Sequence, residues 1–227
     1  MEESKLIQTK EYWDNIKPGT IINLSDTQTM LSSLGSLNGN QEKMFTIKEI
    51  EKIQELDDLC RWYICLIDSF DGESLYLVAK VVDDVADVGI FFHINDITPS
   101  NRQGLIEEQE LFWLFQEPDD VDADYIELKF TETFSLEMSD EFKGSFEVEY
   151  SQNEVGPIQG IATYSPESSG FSGNLGTVVE FSSDSDETEN NRAMIIEVGK
   201  KDNEEGGLIR VLIGDYLSVD FDLHILS

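Results

Sequence analysis

Two histidines, His93 and His224, are the whole supply of imidazole in this chain. A nucleophile-and-base mechanism usually draws on such a group. His93 follows Phe91-Phe92 near the end of an expected strand, and His224 lies on the polar side of an alternating segment. Both are expected to be structural or exposed, and neither is nominated as catalytic. The chain has no Gly-x-Ser-x-Gly elbow and no glycine-rich phosphate loop, so acyl-transfer and nucleotide chemistry have no motif to rest on. The candidate metal ligands are Asp120, Asp122 and Asp124, spaced like the first three ligands of a calcium loop. Tyr125 stands where such a loop needs glycine, and Thr131 where it needs a bidentate glutamate. A second acidic cluster is Asp83-Asp84 with Asp87. Both clusters are expected as solvated acidic turns. Paired carboxylates across a β cleft can hydrolyse glycosides, but no spacing here selects a pair. No catalytic residue and no cofactor is expected.

Cys60 and Cys65 sit in one strand-like run, an odd number of residues apart, so the pleat should send them to opposite faces. They should not bridge, and they lack the spacing of a metal knuckle. They read as small buried hydrophobes in a reducing compartment.

Charge narrows the partners. The chain of 227 residues carries 15 Lys and Arg against 47 Asp and Glu, a formal net charge of −32. Counterion release from nucleic acid requires a basic footprint, so direct nucleic-acid binding is disfavoured. Anionic membrane surfaces are disfavoured for the same reason. The N-terminal Met1-Glu2-Glu3-Ser4-Lys5 is not a signal peptide, and no run reaches the about 18 apolar residues of a membrane span. A cytoplasmic protein is expected, with a basic protein as the partner its field would attract.

The elements that must position these residues are mostly strands. A short helix is expected within 4–16, capped by Ser4, with Leu6, Trp13 and Ile16 on one stripe and Pro18-Gly19 ending it. Strands follow at 19–25, 44–54, 61–69 and 74–82, the last two joined by the hairpin signal Asp71-Gly72. Over 44–54, Ile47, Ile50 and Ile53 recur every three residues, which keeps a helix open as the alternative. Further strands are expected at 89–94, 110–117, 125–131, 144–151, 160–164, 176–182, 193–198, 208–213 and 217–225. The acidic stretch 182–191 holds no apolar residue and reads as a surface loop. The fold class is therefore mostly β and antiparallel, a sandwich or partly open barrels with a short N-terminal helix. Regularly spaced amphipathic helices are missing, so parallel βαβ units are excluded.

The segment Gly19-Thr20-Ile21-Ile22-Asn23-Leu24-Ser25 echoes Gly176-Thr177-Val178-Val179-Glu180-Phe181-Ser182. The echo suggests two related lobes, 1–118 and 119–227, with a single domain over 1–227 as the alternative. The run Trp62-Tyr63-Ile64-Cys65-Leu66-Ile67, then Asp71-Gly72-Glu73-Ser74-Leu75-Tyr76-Leu77, resembles the W-x-E-Y-x-L…D-G-x-x-x-W-L hairpin of an uncharacterised bacterial all-β family. The closing Ile195-Ile196-Glu197 and Gly214-Asp215-Tyr216 are similar to that family's ending. The family's glutamate after Trp62 is missing, and Tyr76 stands where tryptophan is usual. The resemblance implies an all-β fold and, since that family has no established activity, nothing more.

Absent catalytic motifs and a large acidic field point to a non-enzymatic role in protein–protein binding or assembly. The sharper forms are a DNA mimic and an immunity-type inhibitor of a basic protein. An enzyme with an unrecognised carboxylate or histidine site is the remaining class.

Overall fold

A computed structural model describes residues 8–24, 43–56, 59–69, 74–97, 114–115, 128–129, 133–140, 144–153, 158–166, 173–184, 191–198, 208–217 and 223–226. One short helix, α1 (Lys10–Asn15), precedes strands β1 (Ile21–Leu24), β2 (Lys43–Glu55), β3 (Cys60–Ser69), β4 (Ser74–Val82) and β5 (Val85–Ile97). Then come β6 (Leu114–Phe115), β7 (Leu128–Lys129), β8 (Thr133–Asp140), β9 (Gly144–Gln152) and β10 (Ile158–Ser165). The chain closes with β11 (Leu175–Ser182), β12 (Arg192–Val198), β13 (Leu208–Tyr216) and β14 (Leu223–Leu226). The mostly β, antiparallel architecture with a short N-terminal helix follows from the alternating segments.

Eight strands close into a barrel in the order β2-β3-β4-β5-β13-β12-β11-β10, and β10 pairs back onto β2. Closure removes the edges that a sheet of these strands would otherwise expose. Residues on both sides of the 118/119 division contribute to this wall: β2–β5 form one meander and β10–β13 another. The ladders β2–β10 and β5–β13 join the two. β1 and β14 extend from the first half of β2, and the hairpin β8–β9 extends from the end of β11. The echoing segments thus occupy non-equivalent places, β1 beside the closed wall and β11 within it.

Apolar side chains separate into three cores. One draws on all eight wall strands, among them Ile53, Trp62, Val78, Phe91, Ala162, Val178, Met194 and Leu212, and it lies inside the barrel. A second lies outside β2–β5, where Trp13 of α1 and Ile16 just after it pack with Tyr63, Cys65, Leu77 and Val88. The third lies outside β11–β13, where Phe134 and Tyr150 of the β8–β9 hairpin cover Phe181, Ile195 and Ile213. A wall covered on both faces must be apolar on both. That is why β3, β4, β12 and β13 read as near-continuous apolar runs. Cys60 belongs to the inner core and Cys65 to an outer one, on opposite faces as their spacing requires.

Several local expectations are resolved in detail. The segment at 44–54 is a strand, and a register shift between Ile47 and Glu49 explains its three-residue spacing. The extra residue puts Ile47 and Ile50 together in the outer core, while Ile53 points inward. Backbone bonds from Gly19 to Ile47 and from Ile47 to Thr20 hold the shifted strand. The helix is shorter than expected; Ser4 and Leu6 lie outside the described residues, and Thr9 takes the N-cap position. The strand expected at 89–94 runs from Val85 to Ile97. Asp83 and Asp84 form the two-residue β4–β5 turn, both with positive φ, 49° and 67°. That is the geometry of a type I′ hairpin turn, which aspartate tolerates. β8 was not expected, although Phe134, Leu136 and Met138 alternate in it. The turn at 70–73, most of the strands expected at 110–117 and 125–131, and residues 218–222 lie outside the described residues.

Glycine allows both seams between the meanders to close. A Cβ on Gly160 would collide with the Gln54 carbonyl at the β2–β10 seam, and one on Gly214 with the Ile90 carbonyl at the β5–β13 seam. Neither obstacle is a flexible side chain, so relief requires the strands to part. Gly160→Ala and Gly214→Ala are each expected to lower the unfolding free energy by about 2 kcal/mol, measured by urea denaturation. A Gly19→Ala control faces no neighbouring atom but sits at φ 90°, so it reports backbone strain alone.

Candidate functional site

The barrel interior is where sequence-distant ionisable groups meet. Glu51 of β2 and Arg210 of β13 form a buried ion pair, and the Tyr164 hydroxyl donates to Glu51 Oε1 at 2.6 Å. The Tyr76 ring lies 6.0 Å from the Arg210 guanidinium. A second set has the same composition. Lys80 of β4 donates to Glu180 Oε2 of β11 at 2.5 Å, and the Tyr216 hydroxyl donates to Glu180 Oε1 at 2.5 Å. The Lys80 ammonium sits 5.1 Å from the Trp62 ring centroid. Each set is one carboxylate, one cation, one phenol donor and one aromatic face.

These surroundings set the protonation states. Burial pushes the Tyr164 and Tyr216 phenols up, and the adjacent Glu51 and Glu180 charges push them further, so both stay protonated donors. Burial alone would lower the Arg210 guanidinium, but the Glu51 charge and hydrogen bond outweigh it and raise it. Burial pushes the Cys60 thiol up to about 11, and the Cys65 thiol also rises, so neither is a thiolate nucleophile at neutral pH. Trp62 Nε1 and Arg210 Nε find no hydrogen-bond partner among the described residues. The apolar part of the inner core is closely packed around them: Trp62, Val78, Phe91, Ala162, Met194 and Leu212 are all 0% exposed. An eight-stranded barrel is just wide enough to be filled by its own side chains or to hold one small ligand.

A third set lies outside the wall and fastens α1. Asp14 accepts from Tyr63 at 2.5 Å, Lys10 at 2.9 Å, Lys52 at 3.1 Å and Arg61 at 3.4 Å. Burial would raise the Asp14 carboxyl, but the hydrogen bonds from Tyr63, Lys10 and Lys52 hold it well below the usual carboxylate range. A 290 Å³ groove beside it is lined by Lys10, Arg61, Asp83 and Asp84, whose charges balance.

The residues singled out from sequence are not assembled into a site. His93 is exposed, with its ring 6.0 Å from Tyr76. His224 pairs through its backbone with Asn23, a separate ladder. Asp83 and Asp84 are the exposed hairpin turn, and Asp87 is exposed two residues into β5. Asp120, Asp122 and Asp124 lie outside the described residues. Among the described residues, no three His, Cys, Asp or Glu side chains stand close enough to share a metal ion. No helix among them is long and apolar enough to cross a membrane. Sequence reading missed Glu51, Lys80, Glu180 and Arg210. The available signal was a charged residue inside an otherwise apolar strand, as in Leu75-Tyr76-Leu77-Val78-Ala79-Lys80-Val81.

With its wall covered outside β2–β5 and β11–β13, this chain is a closed antiparallel barrel whose interior charges are neutralised in pairs. No known family, curated protein or solved structure matches it.

Breaking an interior pair should leave a buried charge. Arg210→Met is expected to cost about 3–5 kcal/mol in denaturant unfolding, and adding Glu51→Leu should restore much of the loss. For Asp14 the folded pKa lies below the unfolded value. Its contribution is therefore fully present above about pH 4 and is lost as pH falls through the folded value. After discounting for solvent screening, Asp14→Asn should lower stability at pH 7 by about 1 kcal/mol. Parallel denaturation curves should show that difference shrinking toward pH 2.

Proposed function

We propose that this protein is a non-enzymatic binding protein that recognises a basic protein partner through its acidic outer surface. The supporting observation is how its cations are used. Lys10, Lys52 and Arg61 all turn onto Asp14, Lys80 onto Glu180, and Arg210 onto Glu51. Five cations are spent on three carboxylates, so the rest of the chain is more acidic still than the net charge of −32. Asp83, Asp84, Asp87, Glu147, Glu149 and Asp184 are exposed. A field of one sign accelerates encounter with the opposite sign and rejects its own. The raised Cys60 and Cys65 thiols give this reading further support, because neither is a thiolate nucleophile at neutral pH.

The test is binding of a lysine-rich peptide followed by fluorescence anisotropy. Affinity is expected to fall about tenfold or more between low and physiological salt. The double variant Glu147→Lys/Glu149→Lys should weaken it more than the same charge change at Asp184 and Asp186. Binding that ignores salt, or that responds equally to both double variants, would count against a dedicated basic-partner surface.

A further inference from the structure

We propose that the outside of the wall around the end of the β2–β3 ladder is a self-association surface that takes a second copy of this chain. The proposal goes beyond the basic-partner reading and uses a different face from the hairpin acids Glu147 and Glu149. Of the seven large apolar side chains exposed among the described residues, all but Met44 belong to this region. Leu56, Leu59 and Val85 are the most open, at 65%, 64% and 60%. Single exposed leucines need no explanation, but a cluster of them marks a contact site.

Strand register makes the cluster continuous. Val82 pairs with Val85 across the β4–β5 turn and with Cys60 on β3, which brings Leu59 to that turn. Leu59 and Val81 line the 290 Å³ groove together with Lys10, Arg61, Asp83 and Asp84. On the other flank Ile161 of β10 pairs with Leu175 of β11. There Leu56 and Ile161 line a second groove of about 390 Å³, with Lys52, Gln54, Glu55 and Thr163. Arg61 lines the first groove and Gln54 the second, and the two stand opposite each other in the β2–β3 ladder. The grooves therefore adjoin across one pair of strands. Asp14 ties them together, accepting from Lys10 and Arg61 of one and from Lys52 of the other.

Charge selects the occupant. The two linings carry three cations, Lys10, Lys52 and Arg61, and three acids, Glu55, Asp83 and Asp84. That balance stands out in a chain with 47 acids and 15 Lys and Arg. A two-fold pair sets the same patch of each copy against the other, so the patch must complement itself. This one does: Asp83 and Asp84 of one copy face Lys10 and Lys52 of the other, and Leu56 and Leu59 enter the grooves. An ammonium carries three donors, so Lys10 and Lys52 can hold Asp14 and still meet a second carboxylate. A basic segment fits less well, because its cations would meet the three already there. The net charge of −32 opposes the approach of two copies at any face. Salt screens that repulsion, over about 8 Å at physiological ionic strength, and leaves apolar contact in place. Association through this surface therefore strengthens with salt, opposite in sign to capture of a basic peptide.

The test is sedimentation equilibrium of the full chain at about 0.05 M and about 0.5 M NaCl. A monomer–dimer equilibrium is expected, tighter at the higher salt. Leu56→Ser/Leu59→Ser should weaken it about tenfold or more while leaving the urea midpoint unchanged, and Met44→Ser should not. Asp83→Asn/Asp84→Asn preserves the turn, since asparagine accepts positive φ. It also removes two negative charges from each copy. Relief of general repulsion alone would then tighten the dimer, whereas loss of the pairs with Lys10 and Lys52 weakens it; weakening is expected. A chain that is monomeric at both salts, a dimer indifferent to the leucine change, or a dimer tightened by the asparagine change would overturn the proposal. So would a monomeric chain whose capture of a lysine-rich peptide is lost with Leu56 and Leu59, which would make a basic partner the occupant. The basic-partner reading stands or falls separately, on the salt dependence of peptide binding and the hairpin variants.

Discussion

Two carboxylate–cation pairs inside the barrel tie the first half of the chain to the second. Glu51 reaches Arg210 across 159 residues, and Lys80 reaches Glu180 across 100. Burying such charges is costly unless each oxygen and proton is met, and here a tyrosine hydroxyl supplies the additional donor to each carboxylate. The consequence is less a gain in stability than a demand on register. A slip of one residue in β2, β4, β11 or β13 would turn a charge out of its set and into an outer apolar core. Unpaired there, it would cost several kcal/mol. The wall therefore has one arrangement in which all four charges are paired. Glycine at both seams lets the strands approach closely enough to reach it.

The same arrangement decides what the outside looks like. With α1 over one flank and the β8–β9 hairpin over another, the wall needs apolar residues on both faces and has little place for polar ones. Of the wall's cations, Lys52 and Arg61 turn onto the helix-borne Asp14, and Lys80 and Arg210 onto internal carboxylates. Among the described residues, exposed acids stand on the β4–β5 turn and on the outer face of the hairpin, as with Asp83, Asp84, Glu147 and Glu149. The reading of this protein as a binder of basic partners follows from that division.

How much was legible in advance depended on range. The period-two pattern carried most strands, and the odd spacing of Cys60 and Cys65 carried their opposite faces. At 44–54 the pattern was ambiguous because a single extra residue mimics a helical interval; the partner strand β3 is what reveals the shift. β8 alternates as clearly as β9 does, through Phe134, Leu136 and Met138, but charged segments flank it. The interior charges were hardest to find. In a linear reading Lys80 and Arg210 look like residues that escape to solvent, and only closure of the wall turns them inward.

By itself, then, the chain's own order of residues determined the strands, the tight turns and the excess of anions, because alternation and turn chemistry are settled between near neighbours. Alternation cannot say which of two faces is inner, for either choice has the same period. That choice, the closing of eight strands on themselves, and the pairing of Glu51 with Arg210 and Lys80 with Glu180 were decided only by the tertiary structure. The physical reason is that each is a contact between residues far apart in the chain, with no local term to announce it.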